Sequence, residues 1–158
     1  MNPEDQRLLQ LSMDLAREHM LAGEGGPFGA VIARNGDIIA TGWNQVTSTN
    51  DPTAHAEMVA IREATRALSH FSLEGCTVYA SCEPCPMCLA ACYWARVDRI
   101  LFAATRHDAA AAGFDDEFIY RELRLPLGER SLTMQQQLAT EGAAVFREWD
   151  VKGDKIRY

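Results

Sequence analysis

Two short stretches of the chain carry residue types able to do chemistry: His55-Ala56-Glu57 and Pro84-Cys85-Pro86-Met87-Cys88. Cys85 and Cys88 are three apart, which in a helix puts both sulfurs on one face, as two ligands of one metal ion require. A helix N-terminus also favours thiolates, because its unpaired N–H groups and the positive end of its dipole stabilise negative charge. His55 adds an imidazole from the opening of a second helix. One histidine and two cysteines leave the fourth tetrahedral position of a zinc ion open for water, the arrangement of a catalytic centre. Glu57 cannot join His55 on the same ion, since side chains two apart in a helix diverge. Near the helix start its carboxylate can instead stand beside the open position and shuttle protons. Two other readings use the same thiols. Cys85 and Cys88 match a redox pair at a helix start, and Cys82, Cys85, Cys88 and Cys92 match the spacing of a bacterial iron–sulfur run. Against the latter, Tyr93 stands where that run has proline, no second run exists, and Cys92 falls inside a good helical segment. The iron–sulfur reading also leaves His55-Ala56-Glu57 without a purpose.

The elements that must position these residues are set by punctuation and periodicity. Asn2-Pro3 reads as the cap and first position of a helix, with acidic residues suited to its start, and Leu8, Leu11 and Leu15 carry it to about Leu21. Gly23 to Pro27 break it. Phe28–Arg34 and Asp37–Asn44 are apolar runs joined by Asn35-Gly36, a strong hairpin signal. A helix is expected from about Pro52 to Leu68, started by Asp51 and Pro52. Cys76–Ser81 reads as a strand, Pro86–Arg96 as a helix and Arg99–Thr105 as a strand. Beyond these, a loop or broken turn is expected over Ala109–Gly113, a short helix over Asp116–Leu123 and a last helix over Glu141–Asp150. This order gives a mixed sheet covered by helices on both faces, its second half contributing parallel strands.

Composition narrows the function. The chain has 158 residues, 47% of them hydrophobic and 23% charged, enough for one domain with a real core. Its formal net charge of −7 opposes binding of polynucleotides by bulk phosphate neutralisation. The polar, acidic start carries no secretory signal, and no apolar run approaches the roughly 18 residues of a membrane span, so a soluble, cytoplasmic protein is expected. All five cysteines fall between Cys76 and Cys92. An odd, clustered set does not suit a disulfide framework and points to metal or thiol chemistry in a reducing compartment. Cys76 and Cys92 read as small core residues, Cys82 as a packing residue, and His19 and His70 as solvated. His107 falls in the loop after the last clear strand.

H-x-E together with P-C-x-x-C is the signature of zinc deaminases, and the chain resembles the cytidine-deaminase-like superfamily over nearly its whole length. Gly26-Pro27-Phe28-Gly29-Ala30-Val31, the segment Asn50 to Glu57 and the segment Ser81 to Cys88 are similar to purine and tRNA adenosine deaminases in general. Tyr93-Trp94-Ala95-Arg96, Ala112-Gly113-Phe114-Asp115-Asp116, Phe118-Ile119-Tyr120 and the final Tyr158 resemble more narrowly the small zinc-dependent bacterial guanine deaminases. Arg130–Gly142 matches less clearly. The resemblance implies a three-layer α/β/α fold with a central mixed sheet of about five strands, in one domain over 1–158. It implies one zinc ion per chain on His55, Cys85 and Cys88, with Glu57 as proton shuttle and Asp116 acting near the leaving amino group. For the substrate it implies Asn44 hydrogen-bonding a purine base, Phe28 stacking on it, Ala56 offering a backbone group, and Trp94 and Tyr158 as further contacts. Residues 151–158 would close over the base as a lid, in some members from a neighbouring subunit, so a homodimer with C-terminal exchange is expected. The implied reaction is hydrolysis of guanine to xanthine and ammonia. A tRNA adenosine or pyrimidine-base deaminase remains an alternative within the same chemistry, tRNA being disfavoured by the acidic balance and the lack of a basic cluster near the C-terminus.

Overall fold

Helix α1, Pro3–Leu21, starts where the sequence places a cap: the Asp5 N–H donates to the Asn2 side chain at 2.7 Å, and proline takes the first helical turn, where its missing N–H costs nothing. The structure, a computed structural model, describes residues 2–158. After the glycine-rich break come strands β1, Gly29–Arg34, and β2, Asp37–Trp43. Asn35 and Gly36 both have positive φ (51° and 88°), as a type I′ hairpin turn requires. A short helix α2, Val46–Thr49, precedes α3, Ala56–Leu68. Then β3, Cys76–Cys82, α4, Pro86–Trp94, and β4, Arg99–Ala104, alternate. Helices α5, Arg106–Ala111, and α6, Asp116–Arg124, come next, then a 3-10 turn at Leu127–Glu129 and α7, Ala139–Val151. The chain divides into two compact units, one ending at Tyr120 and the other spanning Arg121–Tyr158.

In the first unit the strand order is β2-β1-β3-β4, with β1 antiparallel to both β2 and β3, and β3 parallel to β4. The period-2 alternation of strand side chains sorts the core onto two faces. Ala30, Ile32, Cys76 and Val78 pack with Ala56, Ala60, Ala64, Leu73 and Cys92, beneath α3 and α4. Val31, Ala33 and Tyr79 pack on Leu8 and Leu9 of α1. Helices thus cover both faces of the sheet. Two contacts hold the helices in place, one on each face. A Cβ on Gly42 of β2 would lie 2.3 Å from the Ala56 carbonyl oxygen and 2.7 Å from the Ala60 nitrogen, so the backbone of α3 rests directly on the sheet. On the other face, Asp5 is buried and receives the Tyr79 hydroxyl at 2.7 Å and the Arg99 guanidinium at 2.6 and 3.1 Å. Donation from Tyr79 and Arg99 holds its carboxyl below the usual carboxylate range. This triad ties α1 to β3 and β4.

The second unit is built differently. Ser131 donates through its backbone N–H and hydroxyl to Glu122 at 2.8 and 2.7 Å, and Arg130 Nε donates to the Leu125 carbonyl at 3.0 Å. None of its residues is fully buried.

Four features depart from the sequence reading. The sheet has four strands and not about five, because after β4 the chain enters α5 and no apolar, β-branched run follows that could pair. The second long helix begins at Ala56, not Pro52. Asp51 accepts from the Thr53 N–H and hydroxyl at 2.8 and 2.7 Å and so closes a turn rather than capping a helix. The expected loop near Ala109 is largely helical, and His107 lies within α5 rather than in a loop, since Thr105 and Asp108 form a capping box that starts the helix. His19 is packed rather than solvated: its ring stacks on Trp43 with centroids 3.7 Å apart, and Nδ1 lies 3.0 Å from Glu24. No helix among the described residues is long and apolar enough to cross a membrane.

Candidate active site

His55 and Cys85 occupy equivalent places, each the residue before the first turn of a helix. His55 precedes α3 with φ −67° and ψ 155°, and Cys85 precedes α4 with φ −64° and ψ 168°. In this extended conformation neither side chain caps its own helix, and both are free to turn toward a common point. Cys88, one turn into α4, is fully buried beside them. The His55 Nδ1 lies 3.5 Å from Cys85 Sγ and 3.6 Å from Cys88 Sγ. Zinc bonded at about 2.0–2.1 Å to nitrogen and about 2.3 Å to sulfur at the tetrahedral angle spaces N and S by about 3.5 Å. The three residues therefore fit a zinc ion, and they are the group of metal-ligating side chains that converges among the described residues. Donation from Cys88 and His55 to the Cys85 sulfur lowers the Cys85 pKa, favouring the thiolate that a metal needs. Hydrogen bonding to Cys85 in turn raises that of His55.

Glu57, in the first turn of α3, is buried and faces the same space. Burial pushes its pKa up to about 7, with the Cys85 sulfur contributing. A carboxyl with that affinity can both take up and release a proton near neutrality. It lines a cavity of about 260 Å³ together with Gly26, Phe28, Asn44, His55, Cys85, Phe114 and Asp116, among others.

The other residues expected at the site divide clearly. Asn44 is buried in the cavity wall, and its Oδ1 accepts the Gly26 and Val46 N–H groups at 3.2 Å each. That fixes the amide orientation and leaves the Nδ2 donor for the cavity. Phe28 lines one side, with the Phe114 ring edge-on to it at 4.8 Å. Ala56 is fully buried as the first residue of α3. Asp116, the first residue of α6, lines the cavity, and burial raises its carboxyl pKa, with Cys85 adding to the effect. Trp94 is not among the lining residues. It ends α4 and is 67% exposed. Tyr158 belongs to the second unit and is exposed. Phe114 and Glu83 also line the cavity without having been singled out in sequence, although both lie inside the motifs that carried the resemblance. Cys76 and Cys92 are buried in the core, and Cys82 donates to the Thr105 carbonyl at 3.5 Å. Burial pushes the Cys92 thiol up to about 12 and that of Cys82 to about 11, so neither competes as a metal-binding thiolate.

A histidine and two cysteines converging beneath a buried glutamate, at the N-termini of two helices on a mixed sheet, define a zinc deaminase centre. Consistent with it, the chain belongs to the family described as cytidine and deoxycytidylate deaminase zinc-binding region, whose model matches residues 2–104. Among individual proteins it is similar to the guanine deaminase of Bacillus subtilis, 51% identical over 150 residues that cover 95% of this chain and 96% of that one. The crystal structure of the guanine deaminase from Bacillus subtilis superposes with a TM-score of 0.94, at 49% identity and covering 100% of this chain and 99% of the other. A tRNA-specific adenosine deaminase of Haemophilus influenzae is 34% identical over 86% of this chain and 82% of its own.

Proposed function

We propose that the chain is a zinc-dependent hydrolase that converts guanine and water to xanthine and ammonia. The observation that carries this reading is the likeness, along nearly the whole of both chains, to a guanine deaminase. The cavity supports it: at about 260 Å³ it is smaller than the roughly 300–1,000 Å³ of sites for drug-sized ligands and suits a single free base.

His55, Cys85 and Cys88 would hold a zinc ion, which when bound would supply the Lewis acidity that activates water for attack. The chain's own residues do the rest. The Glu57 carboxylate accepts the water proton and delivers it to a ring nitrogen as oxygen adds at C2. Asp116, which also lines the cavity, carries the second proton from the added hydroxyl to the departing amino group. Asn44 Nδ2 donates to an acceptor on the purine edge, and leaving this buried donor unpaired against a wrong base is costly. Phe28 stacks on the flat ring while Phe114 closes its edge, and the Ala56 backbone at the start of α3 offers a further polar group. Tyr158 covers the base from a second copy of the chain, in a homodimer that exchanges residues 151–158. The exposed apolar side chains of the second unit, Leu138, Phe146 and Val151 among them, support such an association. The five cysteines, none of them in a disulfide, suit the reducing environment of the cytoplasm.

Purified protein assayed for ammonia release against guanine, adenine, cytosine, cytidine and tRNA tests this reading. Guanine is expected to be turned over with the highest kcat/KM. Comparable efficiency on tRNA would move the assignment to the tRNA adenosine deaminases, which the likeness to the Haemophilus influenzae protein makes the second reading.

A further inference from the structure

Helix α6 contributes no buried side chain, yet its first residue, Asp116, and the preceding Phe114 form one wall of the cavity. Core packing is therefore not what fixes that wall. Besides the contact of Phe114 with Phe28, polar contacts tie α6 down, and they gather around Arg106, the first residue of α5. Its backbone N–H donates to Glu83 Oε2 at 3.0 Å and its Nη1 to Glu83 Oε1 at 3.2 Å. Its Nε lies 2.8 Å from Glu117 Oε2 as an ion pair without hydrogen-bond alignment, and the guanidinium carbon sits 4.8 Å from the centre of the Tyr120 ring. The Tyr120 hydroxyl donates to the Pro84 carbonyl at 2.8 Å. Glu83 and Pro84 immediately precede the ligand Cys85, and Glu117 and Tyr120 are three apart on one face of α6. One guanidinium thus bridges the loop that carries a zinc ligand and the helix that carries Asp116.

We infer that Arg106 is a positioning residue, which holds Asp116 at the cavity by tying α6 to the zinc-ligand loop through Glu83, Glu117 and Tyr120. The inference rests on the role proposed for Asp116 in guanine deamination. Exposed ion pairs contribute little on their own, but this one is shared between two carboxylates and a ring, with all three charged side chains less than a third exposed. The geometry uses features that only arginine has. Its planar fork reaches two carboxylates in different directions and its face lies on an aromatic ring, so lysine keeps the charge and loses the shape.

The test uses the zinc-loaded enzyme and the variants Arg106→Gln, Arg106→Lys, Tyr120→Phe and Asp116→Asn. Misplacing a reacting group by about 1 Å costs up to about 10²-fold, so Arg106→Gln is expected to lower kcat/KM for guanine by about 10- to 100-fold, chiefly in kcat. Zinc stoichiometry should stay unchanged and Arg106→Lys should recover only part of the loss. Amide exchange should quicken in residues 114–120 and not in α3. Tyr120→Phe, which removes a single hydroxyl and keeps the ring, should lower kcat in the same direction and provides the test if Arg106→Gln fails to fold. In the Asp116→Asn background, Arg106→Gln should add less than about threefold, because residues that act through one another are non-additive. Undiminished kcat in Arg106→Gln, or its full loss repeated on top of Asp116→Asn, would overturn the inference and leave the role of Asp116 standing. Wild-type kinetics in Asp116→Asn would instead remove that role, and the inference with it.

Discussion

Leu8, Ile32, Leu73 and Val78 of the first unit are completely buried, whereas Leu132, Leu138, Phe146 and Val151 of the second are mostly exposed. The first unit closes its core between a sheet and helices on both faces, and every residue that lines the cavity lies within it. The second holds itself by local bonds such as Ser131 to Glu122 and leaves its apolar side chains without a core of its own. Exposed apolar side chains concentrated in one segment of the chain suit a place of association. The metal-ligating residues and the cavity lining thus belong to the first unit, and under the proposed function residues 151–158 of a second copy would complete the substrate site.

The comparison breaks most visibly at the metal. Replacing His55 or Cys85 by alanine is expected to abolish both zinc binding and deamination, where wild-type protein should contain about one zinc per chain by elemental analysis. Stoichiometric iron with a visible absorption band in its place would restore the iron–sulfur reading. Next in size is the core. Leu73→Ala should cost about 2–5 kcal/mol in denaturant unfolding, whereas Phe146→Ala on α7 should change single-chain stability by no more than about 0.5 kcal/mol and act on self-association in analytical ultracentrifugation. Equal losses of stability would show that the two units share one core. Glu57→Gln keeps the fold and the zinc but should lower turnover by at least about 10²-fold. Near wild-type turnover at full zinc occupancy would mean the proton moves by another group. The smallest effect concerns the chain's end. Deleting residues 154–158 should lower kcat/KM for guanine by more than about tenfold through loss of the lid, with zinc content and Tm unchanged. Unaltered kinetics would reduce those residues to a frayed terminus.

Much of the site is legible in the sequence because its signals are local. The His-x-Glu and Cys-x-x-Cys spacings, the Asn2 cap and the Asn35-Gly36 turn each encode their geometry within a few residues, and the structure realises all four. What is not legible depends on approach in space. Glu83 and Arg106 are 23 residues apart, and only the fold brings them together. Phe114 sits in a recognisable stretch, but that its ring meets Phe28 depends on where the start of α6 is held. Asp51-Pro52 carries the residues of a helix start and closes a turn instead, since the helix cannot begin until the chain has passed the extended His55. The fifth strand rests on resemblance alone, with no run of residues to form it. The capping box of α5, Thr105 with Asp108, is readable in the sequence but masked by the alanines behind it.

The two ligands that stand before α3 and α4 have one more consequence. Because neither His55 nor Cys85 bonds the first-turn N–H groups of its own helix, a zinc ion held by both would join the two helix starts. Metal that binds the folded chain and not the unfolded one makes unfolding free energy a function of free zinc, rising by RT ln(1 + [Zn]/Kd), or about 1.4 kcal/mol for each tenfold increase beyond Kd. Zinc at the deaminase centre would thereby add to the stability of the fold as well as to its chemistry.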